Sequence, residues 1–179
     1  KVFYRLDSDR RVRFVKSFLS NPNSYMSGYF NSEEYFKSIR LQLLQEIKLK
    51  SKSDKYLNVE SQIQNSDSLI IHARRGDYLN SSGFVILDKN YYQDALRQFD
   101  NKKIFLFSDD PEWLRSVIGD DCVVVSGQGF TDYEELSLMK QGQNFIIANS
   151  TFSWWAAWLS DREGKKVVAP KHWFTSKLW

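Results

Sequence analysis

Seven consecutive residues, His72-Ala73-Arg74-Arg75-Gly76-Asp77-Tyr78, set an imidazole, two guanidiniums and a carboxylate side by side. A guanidinium meets phosphate oxygens with a two-pronged fork that lysine cannot reproduce, so the chemistry this segment suits is binding of a phosphate-bearing ligand. The segment directly follows Ser68-Leu69-Ile70-Ile71, an apolar run short enough to read as a buried strand rather than a helix. That puts it where open α/β sheets hold their ligands, just past the carboxyl end of a strand. Two plainer readings compete. Arg74 and Arg75 could be surface arginines, one of them paired with Asp77. Arg75-Gly76-Asp77 could be an adhesive tripeptide, which is disfavoured because such tripeptides ride on exposed loop tips.

Two further segments carry similar chemistry. In Phe107-Ser108-Asp109-Asp110-Pro111, Pro111 suits the first turn of a helix, and Ser108 or an aspartate suits its cap. Capping takes one residue, and three are present. A spare carboxylate beside a nucleotide could accept parallel hydrogen bonds from the ring N–H and amino group of guanine, a pair that adenine does not offer. In Asn149-Ser150-Thr151-Phe152-Ser153-Trp154-Trp155, three hydroxyls precede a helix, whose first amides and partial positive charge attract anions. The plainer reading is a serine cap leading into a buried aromatic helix, with Trp154, Trp155 and Trp158 as core rather than as a sugar platform. Asn149-Ser150-Thr151 and Asn80-Ser81-Ser82 match the glycosylation pattern, but neither has a secretory context.

The elements that must position these groups follow from the hydrophobic pattern. From about residue 65, short apolar runs alternate with amphipathic stretches. Runs at 68–71, 103–107, 122–125, 144–148 and 166–169 are expected as strands. Helices are expected at 88–99, 111–118, 132–140 and 153–159. That alternation predicts a parallel sheet flanked by helices, a Rossmann-like arrangement, with every motif above at the carboxyl end of a strand. Earlier in the chain, a short strand is expected at 25–30. A helix is expected to start at Asn31 or Ser32 and carry Phe36, Ile39, Leu43, Leu44 and Ile47 on one face. The charged run from Lys48 to Lys55 reads as a boundary or a solvated helix end.

Bulk properties narrow the function classes. The net charge of +3 is too small to imply nucleic acid, and the 16% aromatic content supports a packed core. Cys122 is the only cysteine, which excludes an internal disulfide and fits a reducing compartment such as the cytoplasm. No apolar stretch approaches bilayer length, and no secretory signal opens the chain. The first residue is Lys1 rather than methionine, so a piece of a longer protein is expected. His72 and His172 are the only histidines and give no metal pattern, and there is no P-loop. Asp109-Asp110 could hold a divalent ion, yet two arginines nearby can neutralise a diphosphate without one.

Taken in order, these three motifs resemble those of the bacterial alpha-1,2-fucosyltransferases of glycosyltransferase family 11. Smaller echoes agree: Gly28-Tyr29-Phe30-Asn31-Ser32-Glu33, Tyr91-Tyr92, and Ala169-Pro170-Lys171 followed by Trp173-Phe174. The resemblance covers about residues 25–174. It implies a GT-B-type fold of which this chain supplies mainly the donor-binding half. It implies GDP-fucose as donor and inverting, metal-independent transfer to the 2-hydroxyl of a galactose-containing acceptor, with no cofactor. By the same resemblance, Arg74 holds the departing β-phosphate and is the expected catalytic residue. His72 lies against the nucleoside, and Asp109 or Asp110, with Asp110 preferred, reads guanine. Ser150, Thr151, Phe152 and Ser153 surround the diphosphate and ribose. Arg75, Asp77 and Ser108 complete the expected donor site, Asp77 as an orienter of the arginines.

The family's glycine-rich opening segment, Gly-Gly-Leu-Gly-Asn-Gln, has no counterpart here. The expected organisation is therefore a remnant of an acceptor-side domain at 1–30, a linking helix and charged loop at 31–64, and a GDP-fucose-binding domain at 65–179. A missing amino-terminal domain would complete the cleft, and no residue of this chain is assigned as the base. The expected location is the cytoplasm or the inner face of the membrane. The alternatives are a non-catalytic nucleotide-sugar-binding module and a transferase that uses another nucleotide sugar.

Overall fold

The computed structural model describes residues 2–5, 24–27, 30 and 32–175, which fall into two compact units divided between Ile47 and Lys48. In the first unit, β1 (Val2–Arg5) pairs in parallel with β2 (Ser24–Ser27), Val2 opposite Ser24 and Arg5 opposite Ser27. Of the strand expected at 25–30, residues 25–27 lie in β2, residues 28 and 29 lie outside the described residues, and Phe30, with φ of 47°, is left-handed rather than extended. The single helix expected from Asn31 or Ser32 is broken up. Two 3₁₀ turns, Glu33–Tyr35 and Lys37–Ile39, precede α1 (Arg40–Glu46). Phe36, with φ of −140°, interrupts the helical backbone between the turns, and Ser32 makes no side-chain cap bond. Asn31 lies outside the described residues.

The second unit opens with a helix where only a charged run was expected, α2 (Asp54–Gln64). The Ser53 hydroxyl caps it by accepting from the Tyr56 amide at 3.2 Å. Its buried residues Tyr56, Val59 and Ile63 sit at helical spacing among polar neighbours. The Tyr56 hydroxyl donates to Ser137 Oγ at 2.9 Å, which ties α2 to the far helix of the unit.

After α2 the alternation runs as expected: β3 (Ser68–Ala73), α3 (Lys89–Leu96), β4 (Lys103–Ser108), α4 (Pro111–Ile118), β5 (Val123–Val124), α5 (Asp132–Met139), β6 (Asn144–Ile146), α6 (Thr151–Leu159) and β7 (Val167–Val168). The outer strands are shorter than their apolar runs, and α6 begins two residues before Ser153. All five strands are parallel, in the order β5-β4-β3-β6-β7.

The core has two layers, one on each face of the sheet. Alternate residues of a strand face opposite ways. Ile70 of β3 packs with Tyr56, Ile63, Leu138, Met139 and Ala156, from α2, α5 and α6. Leu69, Ile71 and Ala73 pack with Tyr92, Ala95 and Leu114, from α3 and α4. Right-handed crossovers account for this division: the chain winds outward from β3 to β4 and β5 over one face, then returns to β6 and β7 over the other. The winding reverses between β3 and β6, and that reversal opens a crevice at the carboxyl ends of those two strands.

Candidate active site

The loop after β3 is shaped by Asp109, which follows β4. One carboxylate oxygen accepts the Arg75 amide at 2.8 Å and the other accepts the Gly76 amide at 3.0 Å. Gly76 sits tight against that carboxylate: a Cβ there would stand 2.9 Å from Asp109 Oδ2, so any larger residue displaces it. Held in this way, the loop sends its two arginines in different directions. Arg74 Nε donates to Asp77 at 2.9 Å and lies 3.3 Å from Asp109 Oδ2, while its two terminal nitrogens make no hydrogen bond to any described residue. Arg75 turns away, to Asp110 at 3.2 Å and onto the face of Trp113 at 3.7 Å. Asp110 also caps α4 by accepting the Trp113 amide at 3.2 Å. Asp109 and Asp110 are thus both engaged by protein donors, where sequence reasoning assigned one to a cap and left one spare.

Beyond β6, Ser150 caps α6 by accepting the Phe152 amide at 3.3 Å. The amides of Thr151 and Ser153 donate to no described residue, and the first turn of α6 carries no acidic side chain. The Ser153 hydroxyl is fully buried and donates to the Ser150 carbonyl at 3.2 Å. His72, near the end of β3, is 5% exposed and packs 5.6 Å from the Phe152 ring. Its Nδ1 is buried without a hydrogen-bond partner. Burial first, and then the charge of Arg74, push the His72 pKa down to about 3, so the imidazole is neutral at ordinary pH.

These groups line one cleft of about 660 Å³. Of the residues singled out from sequence, His72, Arg74, Asp77, Ser108, Asp109, Ser150, Thr151 and Phe152 lie on it, and Arg75, Asp110 and Ser153 do not. Ser108 is tied to a second wall of the cleft: its amide donates to Ser126 Oγ at 2.9 Å, and the Ser126 hydroxyl donates to Glu135 at 2.7 Å. Glu135, in the first turn of α5, is a lining carboxylate that sequence reasoning passed over. Burial raises its pKa above the usual glutamate value, against the opposing hydrogen bond from Ser126. It sits just beyond the end of β5, so the strand-end position that drew attention to the other motifs applies to it as well. Tyr78 and Phe84 close the other end of the cleft, with rings stacked at 4.1 Å and 10°. The Tyr78 hydroxyl donates to the Asn149 carbonyl at 3.1 Å. Asn149 Nδ2 donates in turn to the Val85 and Trp173 carbonyls, both at 2.8 Å.

The chemistry on offer is anion binding at one point and hydrogen-bond acceptance at another. The fork end of Arg74 and the first amides of α6 converge where the sheet winding reverses, and Glu135 faces the cleft from the β5 side. Among the described residues, no group of three or more His, Cys, Asp or Glu is placed to hold a metal ion, and no helix is long and apolar enough to cross a membrane.

Comparison with known proteins gives this cleft a context. The chain is 35% identical over 122 residues to the "O-antigen biosynthesis glycosyltransferase WbnK" of Escherichia coli, covering 62% of this chain and 40% of that protein. It is 31% identical over 189 residues to an "Alpha-1,2-colitosyltransferase" of Escherichia coli, covering 95% of this chain and 62% of that one. It is 28% identical over 165 residues to the "Galactoside 2-alpha-L-fucosyltransferase SEC1" of Bos taurus, covering 78% and 43%. The chain thus spans between 40% and 62% of the length of these relatives. The family model described as "Glycosyl transferase family 11" matches residues 3–178, nearly the whole chain, and the chain belongs to that family.

Proposed function

We propose that this chain carries the donor site of an alpha-1,2-fucosyltransferase, binding GDP-fucose and serving inverting, metal-independent transfer of L-fucose to the 2-hydroxyl of a galactose-containing acceptor. One observation carries the reading. Arg74, the unpartnered amides of α6 and the orphaned Nδ1 of a buried histidine meet in one cleft where the sheet winding reverses. A helix start alone is a weak signal. The unsatisfied buried imidazole beside it supports a ligand that supplies the missing partner. The names of the relatives supply the sugar class and the linkage.

In this reading the acceptor oxygen attacks the anomeric carbon as the bond from that carbon to the β-phosphate oxygen breaks. Negative charge grows on the departing GDP. Arg74 and the α6 amides are in place before it appears, which is the condition under which such donors are most effective. Asp77 and Asp109, the carboxylates beside Arg74, are both paired with it, so the proton of the acceptor hydroxyl goes to another base. A further domain, consistent with the shorter span of this chain relative to its relatives, supplies that base and the acceptor site. The proposed place of action is the cytoplasm or the inner face of the membrane.

Glu135, rather than Asp110, is the carboxylate with room to read guanine. Asp110 is committed to Arg75 and to the cap of α4 and does not line the cleft, while Glu135 lines it and has one oxygen engaged by Ser126. A second reading, transfer from another nucleotide sugar, is favoured by the alpha-1,2-colitosyltransferase, whose match covers nearly the whole chain. A non-catalytic module would bind the nucleotide and transfer nothing.

Thermal unfolding with nucleotides tests the proposal. GDP at a hundred times its dissociation constant adds about 2.7 kcal/mol. That raises the melting temperature of a chain this size by about 5–11 °C. ADP and UDP at the same concentration give little, and EDTA changes nothing. Glu135→Gln presents an amide donor to the guanine edge and weakens GDP by about tenfold or more without weakening ADP. Equal protection by ADP, UDP and GDP refutes the nucleotide assignment, and loss of protection or transfer in EDTA refutes the metal-independent one.

A further inference from the structure

We propose that the half-buried ring of Phe84 is the wall against which the transferred 6-deoxyhexose packs, and that it selects for a methyl group at C6. The inference rests on the donor reading above and adds to it the residue that distinguishes the sugar.

The direction in which the donor lies follows from the order of the strands. Glu135 and Ser126 sit past β5, Ser108 at the end of β4, Arg74 past β3, and Ser150 past β6. Three strand spacings separate β5 from β6, about 14 Å, which suits an extended nucleoside diphosphate lying across the strand ends. The charges set its polarity. The first turn of α5 carries Asp132, Glu134 and Glu135 and repels phosphate, whereas the first turn of α6 carries no acid and has Arg74 opposite. The phosphates therefore lie on the β3–β6 side and the base on the β5 side. Whatever is bonded to the β-phosphate continues toward Tyr78 and Phe84.

That end of the cleft is apolar and held firmly. Phe84 stacks on Tyr78 at 4.1 Å and leans on Phe174 at 5.4 Å. Its backbone is pinned on both sides: the Val85 amide donates to the Trp173 carbonyl at 3.1 Å, and the Thr175 amide donates to the Gly83 carbonyl at 3.0 Å. Asn149 holds Val85 and Trp173 together from below. The Tyr78 hydroxyl is engaged with the Asn149 carbonyl, so the stack offers the ligand a ring face and no spare hydroxyl. A deoxyhexose has a matching surface, a row of C–H groups ending in a methyl. A sugar with a hydroxyl at C6 would bring a polar group to the same wall with no partner for it.

The test uses the full-length enzyme with two donors, GDP-L-fucose and GDP-L-galactose, which differ only by the hydroxyl at C6. Transfer kinetics are measured for both donors, with GDP inhibition as the nucleotide control. The wild type is expected to favour GDP-L-fucose by about tenfold or more, within the limit of about a hundredfold for an apolar site that rejects an added hydroxyl. Phe84→Ala is expected to raise the KM for GDP-L-fucose by about tenfold and to bring the two donors toward parity, with GDP inhibition unchanged. Phe84→Leu keeps the apolar volume, preserves the fold if alanine does not, and retains part of the preference. An unchanged donor preference in both variants overturns the proposal. So does an effect confined to the KM of the acceptor, or a loss of GDP inhibition that matches the rise in donor KM. Failure of the donor reading itself shows separately, as absence of GDP inhibition in the wild type.

Discussion

Gly76→Ala is the substitution whose outcome follows most directly from the geometry. A Cβ at 76 would stand 2.9 Å from Asp109 Oδ2, with no other atom of the protein closer than 3.5 Å. The carboxylate is the end of a short, movable side chain, so it swings aside at small steric cost. The real loss is what it then releases: the Arg75 and Gly76 amides and the contact with Arg74 Nε. The two amide bonds contribute about 0.5–1.5 kcal/mol each and the partly exposed Arg74 contact little, so the variant loses about 1–3 kcal/mol in all. For a chain of this length that lowers the melting temperature by about 2–12 °C. In an Asp109→Ala background the obstacle is gone, and Gly76 has no left-handed φ to preserve. There the same Gly76→Ala change is neutral, or stabilising by about 0.4–1 kcal/mol, because it restricts the unfolded chain. Urea unfolding of the wild type, the two single variants and the double variant measures this coupling. An equal cost of Gly76→Ala in both backgrounds refutes the view that Asp109 holds the loop after β3.

Two further outcomes separate roles that adjacent residues play. Arg75→Ala loses the Asp110 pair and the Trp113 stack, which lowers stability by about 1–2 kcal/mol, and leaves protection by GDP essentially unchanged. Arg74→Ala does the opposite, folding normally while transfer falls by about a hundredfold or more, and Arg74→Lys rescues it poorly because lysine lacks the fork. Matching effects of the two alanine variants on GDP binding would contradict the different directions assigned to the arginines. His72 gives an acid signature. Its pKa is near 6.5 in the unfolded chain and about 3 when folded, so below pH 6.5 the unfolded chain takes up a proton that the folded one refuses. This group therefore removes about 1.4 kcal/mol of stability for each pH unit descended between those values. His72→Phe is expected to flatten the stability profile by one proton over that window. An unchanged slope in urea titrations at several pH values would show that His72 is not the group responsible.

The parts that were legible in the sequence are those in which one signal governed the local outcome. Pro111 and its preceding aspartate placed α4 at its observed limits, and five apolar runs placed five strands. Helix α2 escaped because three core residues in eleven are diluted by charged and amide side chains, so its apolar stripe is too narrow to stand out. The two arginines could not be told apart because their divergence is imposed by Asp109, more than thirty residues away in sequence. Capping was expected to need one aspartate, whereas the loop after β3 needed the other. Phe84 carried no local signal at all. Its place in the cleft depends on pairing with residues 173–175, which sequence spacing does not reveal.

The clasp of Asn149 on Val85 and Trp173 has a consequence for biosynthesis. A ribosome that has released β3 through β6 has delivered four strands of a sheet, but the aromatic end of the crevice still waits for residues 173–175 to emerge. Nucleotide sugar met by the nascent chain before that moment finds the phosphate anchors without the wall beyond them. The finished pocket thus forms only after the clasp has been synthesised, and the donor can stabilise only a chain whose synthesis has passed it.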